Sequence, residues 1–298
     1  MISAAGASQD RPWGLMWVAA GAALWGVDTL LRRPLTASLS SSQIVLCEHL
    51  ILTVVLLPAL RRSWPEWRGL GAREWGAVLG IAWGGSALGT VLFTEAIKIG
   101  NPTTAVLLQK TQPLMAALLA RGLLGEPLGG RFWACLGMGM VAGYVVSFGA
   151  EAPGPGRLPA VLLALGAAGL WAASTVLGRF ALGRLRFTTL TALRLVTAAP
   201  FLAVLTMAGA GPWPGEIDAR QVVSLVMMAL VPGLAALLIY YRGLSRTRAS
   251  LAAVAELAFP ATATALNWAF LGARVTAAQV AGFGVLWGVI LYLERRSR

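Results

Sequence analysis

The side chains with the clearest chemical potential in this chain are charges buried in long apolar runs. Lys110 and Glu256 each lie about eight residues into such a run, or ~12 Å deep if the run is helical. Ionisable groups inside membrane segments are costly and usually face a cavity or a partner. We interpret Lys110 and Glu256 as substrate ligands for a zwitterion or as an ion pair. A fixed pair that only holds two helices together is an equally good interpretation.

Three further ionisable side chains lie in the middle of two other apolar runs, Glu48 and His49 in one and Arg194 in the other. Consecutive residues on a helix point about 100° apart, so at most one of Glu48 and His49 faces a cavity squarely. His49 is the only histidine and could relay protons near neutral pH. A histidine that is simply hydrogen-bonded to a neighbour is the simpler interpretation. Arg194 could pair with Glu48 or with a substrate carboxylate, which completes a possible charge relay.

Aromatic and small polar residues recur on common helical faces and could form the wall of a binding site. Tryptophans that lie deep in a membrane segment suit amphipathic or aromatic substrates, whereas shallow ones belong to the interfacial belts. Gln109 is included among these candidates because it holds the position in the first half of the chain that Glu256 holds in the second half. The candidate wall residues are Trp17, Trp25, Trp83, Ser86, Thr90, Gln109, Trp171 and Ser174.

Composition places these residues in a membrane protein. The 298 residues are 57% hydrophobic and 12% charged, with a mean hydropathy of +0.73. A soluble protein has roughly 25% charged residues, so this chain cannot cover a water-facing surface. The formal net charge of +12 comes largely from arginines at the ends of apolar runs. The lipid bilayer therefore explains it better than nucleic acid does.

Known catalytic motifs are missing from the sequence. It contains no HExxH, no Walker phosphate loop and no Cys/His cluster with metal-ligand spacing. We therefore expect that the protein is not an enzyme and that it binds neither a metal nor a cofactor. Without an ATP-binding loop, the energy for any transport must come from gradients.

Ten apolar spans of roughly twenty residues can be drawn, which predicts an all-α polytopic membrane protein. They lie near 13–32, 41–60, 75–96, 102–122, 131–149, 158–178, 188–209, 220–241, 249–271 and 276–293. The Pro/Gly-rich segment at 152–156 separates the fifth span from the sixth. It divides the chain into domains at 1–150 and 151–298. Asp28 and Arg32, one helical turn apart, predict an ion pair near the end of the first span.

The two domains are copies of one unit. Glu256 and Pro260 follow Gln109 and Pro113 at a spacing of about 147 residues, and Arg194 follows Glu48 at about 146. Each copy has five spans, an odd number, so the second must be inserted upside down relative to the first. Inverted repeats are a building plan of secondary transporters. A duplicated scaffold or a passive channel is the alternative.

The repeated motifs resemble the EamA domain of the drug/metabolite transporter superfamily. They include mid-span prolines (Pro113, Pro260), the Leu-Gly-Glu-Pro step at 124–127, and paired glycines at Gly137/Gly143 and Gly282/Gly288. The resemblance covers nearly the whole chain. The second copy departs from the motif at Ala273, which occupies the position of Glu126 in the first copy.

The resemblance implies ten helices, with helices one to four and six to nine around a central cavity. It also implies export of amino acids or other small metabolites. Together with the residues above, it predicts a secondary transporter that works by alternating access in the inner membrane. An uptake carrier of the same fold remains an alternative. The mid-span prolines Pro113 and Pro260 are predicted hinges, because each removes a helical hydrogen bond.

Positive charge predicts the orientation of the spans. Of the 24 Lys and Arg, 16 fall in the segments that are internal if the N-terminus is cytoplasmic, and six fall in the external ones. Both termini are therefore expected in the cytoplasm.

This orientation is tested by cysteine accessibility. Cysteines introduced at Arg62 and Arg184 should be protected from an impermeant thiol reagent in intact cells, and one introduced at Arg157 should be labelled. Labelling of the first two from outside would overturn the orientation.

Overall fold

The computed structural model describes residues 13–32, 34–36, 38–100, 105, 108–148, 158–209, 211–271 and 276–296. The predicted domain boundary at 150/151 lies outside these residues. In the part of the chain that is described, nine helices are long and apolar enough to cross a membrane, and one shorter apolar helix accompanies them. In chain order they are α1 Gly14–Arg32, α2 Ser41–Arg62, α3 Ala72–Ala96, α4 Gln112–Leu124, α5 Gly130–Phe148, α6 Leu158–Ala181, α7 Phe187–Gly209, α8 Ala219–Leu244, α9 Ala249–Phe270 and α10 Ala277–Arg296.

These helices pack in a pattern that repeats between the two halves. Helix α1 packs on α8, and its counterpart α6 packs on α3, which is the counterpart of α8. Counterparts also contact each other directly, α2 with α7, α4 with α9, and α5 with α10, and further contacts between the halves join α4 with α6, α1 with α9, and α3 with α7. Each half is thus held mainly by the other half. The sequence-based prediction of an all-α, ten-helix, duplicated membrane protein is confirmed.

Glycines allow the close approach of α1 and α8. A Cβ atom at Gly21 would lie 2.7 Å from the backbone nitrogen of Tyr240, and one at Gly243 would lie 2.5 Å from that of Val18. Small residues are the usual means of close packing between membrane helices, since lipid gives no hydrophobic drive for association. This contact fixes Tyr240 against α1.

The counterparts α4 and α9 are both interrupted just before their prolines. Lys110 and Thr111 form a turn before α4 begins at Gln112, with Pro113 in its first turn. Helix α9 consists of segments Ala249–Ala255 and Ala258–Leu271, with Pro260 in the first turn of the second segment. Pro260 cannot donate to the Glu256 carbonyl one turn earlier, but that carbonyl accepts a bond from the Phe259 N–H at 3.1 Å in the tight turn. Broken helices place backbone and side-chain polar groups inside the membrane, where transporters bind substrates and ions.

Three glutamates bind helix N-termini of the opposite half. The Glu126 carboxylate accepts bonds from the backbone N–H groups of Ala249 and Ser250, at 2.7 and 3.0 Å, at the start of α9. Glu294 accepts from the N–H groups of Trp13 and Leu15 at the start of α1. Carboxylates are favoured there because the first N–H groups of a helix lack partners and carry partial positive charge.

The third of these glutamates is Glu66, which lies between α2 and α3. It accepts bonds from the Arg186 side chain and N–H and, at 2.8 Å, from Thr189 Oγ1 at the start of α7. Partial burial raises the pKa of Glu66, but these hydrogen bonds and the guanidinium charge outweigh it, so the pKa lies below its ordinary value. Helices α1, α7 and α9 all begin on one side of the bundle, the predicted cytoplasmic side, so glutamate side chains join the halves there.

Neutral amides join the halves at the opposite end. The Gln43 Nε2 donates to the Gly211 carbonyl at 3.1 Å, and the Gln221 Nε2 donates to Ser38 Oγ at 2.8 Å. Gln43 and Gln221 also complete capping boxes at the starts of α2 and α8. The two ends of the molecule are therefore closed by chemically different contacts.

The cap at α9 yields a stability prediction. Glu126→Ala should lower the free energy of unfolding by about 1–3 kcal/mol, because it leaves buried N–H groups without an acceptor. Thermal unfolding in detergent measures the change. Glu216→Ala, at an exposed position between α7 and α8, is the matched control and should have almost no effect. Equal effects of the two changes would contradict the cap.

Candidate functional site

The break in α9 places Glu256 in contact with three other helices. Its Oε1 accepts from Tyr240 of α8 at 2.6 Å and from Thr175 of α6 at 2.8 Å. Its Oε2 accepts from the Gln112 side-chain amide of α4 at 2.6 Å. The carboxylate thus lies at the junction of both halves, held by neutral donors.

Arg194 of α7 extends this network toward α3. Its Nε donates to Ser86 Oγ at 2.8 Å, and its Nη1 donates to the Tyr241 hydroxyl at 2.8 Å. The rings of Tyr240 and Tyr241 are 5.4 Å apart, so the Arg194 and Glu256 parts of the network adjoin. The site has a permanent cation at one end and a carboxylate at the other.

Two glycines at equivalent positions bring the backbone against Arg194 and its counterpart Glu48. They lie in π-helical segments, Gly80–Leu88 of α3 and Ala229–Ala235 of α8. A Cβ atom at Gly85 would lie 2.4 Å from Ser174 Oγ and 3.8 Å from Arg194 Nη2. One at Gly233 would lie 2.8 Å from Glu48 Oε1. π-Helical turns are frequent at functional sites, and here they recur in both halves at the same place.

Two ring pairs flank the polar network in the same symmetric way. Trp25 of α1 lies against Tyr240 of α8, with ring centroids 5.1 Å apart. Trp171 of α6 lies against Phe93 of α3 at 5.3 Å. The Trp171 Nε1 also donates to the Gly85 carbonyl at 2.9 Å. The predicted wall residues Trp25, Trp171 and Ser86 are therefore brought together with the charges.

The hypothesis of a Lys110–Glu256 ion pair is wrong for this structure. Lys110 is buried, and its Nζ lies over the Phe259 ring, 5.7 Å from the ring centroid. The physical reason is the turn at Lys110–Thr111, which presents Gln112 to the carboxylate instead. Lys110 remains a candidate substrate ligand at the break of α4.

Trp83 and Trp17 do not lie with the other predicted wall residues. Trp83 is 40% exposed, stacks on Phe201 and donates its Nε1 to the Thr197 carbonyl. The π-helical turn separates its direction from that of Ser86, because i→i+5 hydrogen bonds disturb the α-helical spacing. Trp17 lies under the Arg242 guanidinium, 4.6 Å from the ring centroid, near the start of α1.

The remaining small polar candidates are close to the network but differ in their bonding. Thr90 Oγ1 donates to the Ser86 carbonyl at 2.9 Å, within its own helix. Ser174 Oγ is buried beside Gly85 and has no hydrogen-bond partner among the described residues. Gln109 lies half-buried just before the break of α4.

The predicted charge relay is only partly assembled. Arg194 acts electrostatically on both Glu48 and Glu256, but its hydrogen bonds go to Ser86 and Tyr241. The His49 Nδ1 lies 2.8 Å from the Val45 carbonyl one turn earlier, which matches the simpler interpretation of this histidine. The predicted pair of Asp28 with Arg32 is confirmed, with bonds of 2.6 and 2.8 Å.

Among the members of the site that sequence reasoning missed are Gln112, Phe93, Tyr240 and Tyr241. Gln112 carried a signal, since it is an amide in an apolar run immediately before a repeated proline. The adjacent tyrosines carried a weaker one, because the chain has only four. Phe93 carried none, since its role depends on its contact with Trp171.

The chain matches a known protein family over most of its length. The model of the EamA-like transporter family matches the chain twice, over residues 12–148 and 158–293. The chain belongs to the EamA-like transporter family. It is a multi-pass membrane transporter and not an enzyme, and its substrate is a small molecule.

Two individual matches add detail. The chain is 30% identical to the riboflavin transporter ImpX of Fusobacterium nucleatum subsp. nucleatum over 281 residues, covering 90% of this chain and 93% of that protein. A solved crystal structure aligns with a TM-score of 0.77 at 22% identity, covering 94% of this chain and 97% of the other. At that identity, the structural likeness supports the fold alone.

The different environments of Lys110 and Arg194 give a prediction. Arg194→Met should lower the free energy of unfolding by about 2–4 kcal/mol, because Ser86 and Tyr241 lose their charged partner. Lys110→Met should change it by about 1 kcal/mol or less, since only a cation–ring contact is lost. Thermal unfolding of both variants in one detergent makes the comparison. A larger loss of stability in Lys110→Met than in Arg194→Met would instead support an ion pair between Lys110 and Glu256.

Proposed function

We propose that the protein is a secondary transporter that exports small amphipathic metabolites, aromatic amino acids among them, across the inner membrane by alternating access. The observation that carries this proposal is the pair of adjoining polar networks, one around Arg194 and one around Glu256, at the junction of the two halves. Eight helices contribute to it or adjoin it, α1 to α4 and α6 to α9. These are the helices that the resemblance to EamA domains assigns to the central cavity.

The chemistry of the network supports an amphipathic substrate. The Arg194 guanidinium suits a carboxylate or carbonyl oxygen, since its planar N–H groups bind such oxygens directionally. Glu256 suits an ammonium or N–H group. The ring pairs Trp25–Tyr240 and Trp171–Phe93 offer flat surfaces on either side. A zwitterion with a ring would engage all of these groups.

The division of the site between halves supports alternating access. Glu256 is held by residues of both halves, so movement of one half against the other must change its contacts. The contacts at the two ends of the bundle also join the halves, through Glu66, Glu126 and Glu294 at one end and Gln43 and Gln221 at the other. Opening either end requires only that end's hydrogen bonds to break.

A flavin is the second candidate substrate, because the curated relative is named a riboflavin transporter. The isoalloxazine ring is flat and carries an imide N–H beside carbonyl oxygens. It could lie between the ring pairs, with the N–H toward Glu256 and an oxygen toward Arg194. This candidate shares every protein group with the first and differs only in the compound to be tested.

Counterflow in proteoliposomes tests the proposal. Purified protein is reconstituted and loaded with unlabelled compound, and uptake of labelled compound is followed for an amino-acid panel and riboflavin. We expect saturable, trans-stimulated uptake of at least one ring-bearing compound. Arg194→Lys should reduce it at least about tenfold, because one point charge replaces a directional fork. Arg220→Lys, at an exposed position, is the matched control and should exchange normally.

The alternatives give different results. Flux without trans-stimulation would indicate a passive channel. A complete lack of flux, together with no compound-dependent rise in melting temperature, would indicate a membrane scaffold. If exchange is observed, the gradient to which transport is coupled and the orientation of the protein in intact cells would distinguish export from uptake.

A further inference from the structure

Glu256 is a half-buried carboxylate whose hydrogen-bond donors in the described part of the chain are all neutral. Its three side-chain partners are a phenol, an alcohol and an amide, at 2.6, 2.8 and 2.6 Å. No Lys or Arg nitrogen of the described residues lies within 4.0 Å of it. A fixed structural charge inside a membrane is usually paired with an opposite charge, and this one is not.

The oxygen atoms around Glu256 form a closed triangle. Tyr240 Oη lies 2.6 Å from Oε1, Thr175 Oγ1 lies 2.8 Å from Oε1, and the two hydroxyl oxygens are 3.1 Å apart. A hydroxyl can donate or accept, and its hydrogen can rotate. The triangle can therefore rearrange its hydrogens without moving any heavy atom.

This triangle is satisfied in both protonation states of Glu256. When the carboxylate is ionised, Tyr240 and Thr175 both donate to Oε1. When it is protonated, Oε1–H donates to Thr175 Oγ1, and the threonine hydrogen turns to the Trp171 carbonyl, 3.4 Å away. The Gln112 amide donates to Oε2 in either state. Neither state leaves a buried polar group without a partner, so both are accessible.

The charged groups on the neighbouring helices are engaged elsewhere. From α4, Lys110 Nζ lies over the Phe259 ring. From α7, Arg194 attracts Glu256 electrostatically but directs its hydrogen bonds to Ser86 and Tyr241.

The other neighbours add no second titrating partner. Helix α8 contributes the phenols of Tyr240 and Tyr241. Helix α1 contributes the Trp25 ring, with Asp28 bonded to Arg32 of its own helix. Helix α5 touches α9 through Gly139 and Gly143, against Val254 and Leu257, and α10 packs on α5 beside it.

We propose that Glu256 is the proton-binding site of the transport cycle, where a proton and a hydrogen-bond donor of the substrate exclude each other. This rests on the proposed function, because it assigns the coupling ion of the same site. An ionised Glu256 accepts an N–H or ammonium group of the substrate. Addition of one proton to Oε1 neutralises the carboxylate, removes that attraction and returns the site to the closed triangle.

Mutual exclusion makes the protein an antiporter when the carrier crosses the membrane only with a proton or a substrate molecule bound at Glu256. The empty carrier returns across the membrane with a proton on Glu256, and the loaded carrier crosses without it. One proton therefore moves in the direction opposite to each substrate molecule. An inward proton gradient would then drive export.

The first test imposes a pH gradient on the proteoliposomes, with the membrane potential clamped. The probe is whichever compound of the panel shows counterflow. An acidic lumen should drive its accumulation, up to about tenfold per pH unit for one proton per molecule. Accumulation with an alkaline lumen instead, or none with either gradient, would overturn the proposal.

Variants assign the effect to Glu256. Glu256→Gln should lose gradient-driven accumulation, and its remaining counterflow should no longer vary with pH. Thr175→Val should raise the pH at which protons half-inhibit whatever exchange remains, because the ionised carboxylate loses one donor. Thr191→Val is the matched control, since the side chain of this buried threonine bonds, among the described residues, only to the Phe187 carbonyl of its own helix. An unchanged gradient response in Glu256→Gln would contradict the proposal.

A substrate-free measurement keeps the proton site testable if the proposed function fails. Infrared difference spectra recorded against pH should show a protonated-carboxyl C=O component that is present in wild type and in Glu48→Gln and is lost in Glu256→Gln. Lack of exchange for every compound would refute the proposed function, whereas this band would still support proton binding at Glu256. Persistence of the full band in Glu256→Gln would refute the proton site.

Discussion

A carboxylate inside a membrane needs hydrogen-bond donors from the protein wherever water does not reach it, and much of this structure serves that requirement. Glu256 is reached by side chains from three helices, α4, α6 and α8. Each of those helices is positioned by a feature needed for the contact. The turn before Pro113 frees Gln112, and the glycines at Gly21 and Gly243 let α8 approach α1 closely enough to hold Tyr240. The same constraint explains why both repeat counterparts, α4 and α9, are broken at this depth.

The duplication supplies a symmetric frame, but the chemistry in it is unequal. Trp25–Tyr240 and Trp171–Phe93 occupy equivalent places, yet only the first pair carries a phenol that reaches Glu256. The π-helical glycines Gly85 and Gly233 likewise face Arg194 in one half and Glu48 in the other. Symmetric halves can exchange conformations, since each inward arrangement has an outward counterpart. The unequal side chains allow one site on the axis between them to bind an unsymmetric molecule.

Much of the fold could be predicted from the sequence, because membrane spans are determined by apolar length and the repeat by the spacing of prolines and glycines. The site was harder to predict. Glu256, Arg194, Trp25 and Trp171 were found because buried charges and deep tryptophans are unusual in themselves. Trp83 was misplaced because a π-helical turn changes the direction of side chains without a clear mark in the sequence.

The prediction of a Lys110–Glu256 ion pair was wrong for a related reason. Equal depth in counterpart helices does not determine which side chain of a broken helix points at the axis, and here the turn at Lys110–Thr111 selects Gln112. Tyr240 and Phe93 depend on contacts between helices far apart in sequence, which no local pattern records. The glutamate caps at α1, α7 and α9 were missed likewise, since each capping residue belongs to the opposite half.

Paired distance measurements test alternating access most directly. Spin labels at Arg68 and Arg184 report the end closed by the glutamate caps, and labels at Thr36 and Ile217 report the end closed by the amides. All four positions are exposed. On addition of a compound that undergoes counterflow, the account predicts that one pair of labels separates while the other approaches. If both distances stay unchanged, or both lengthen together, the two halves do not alternate and the account is contradicted.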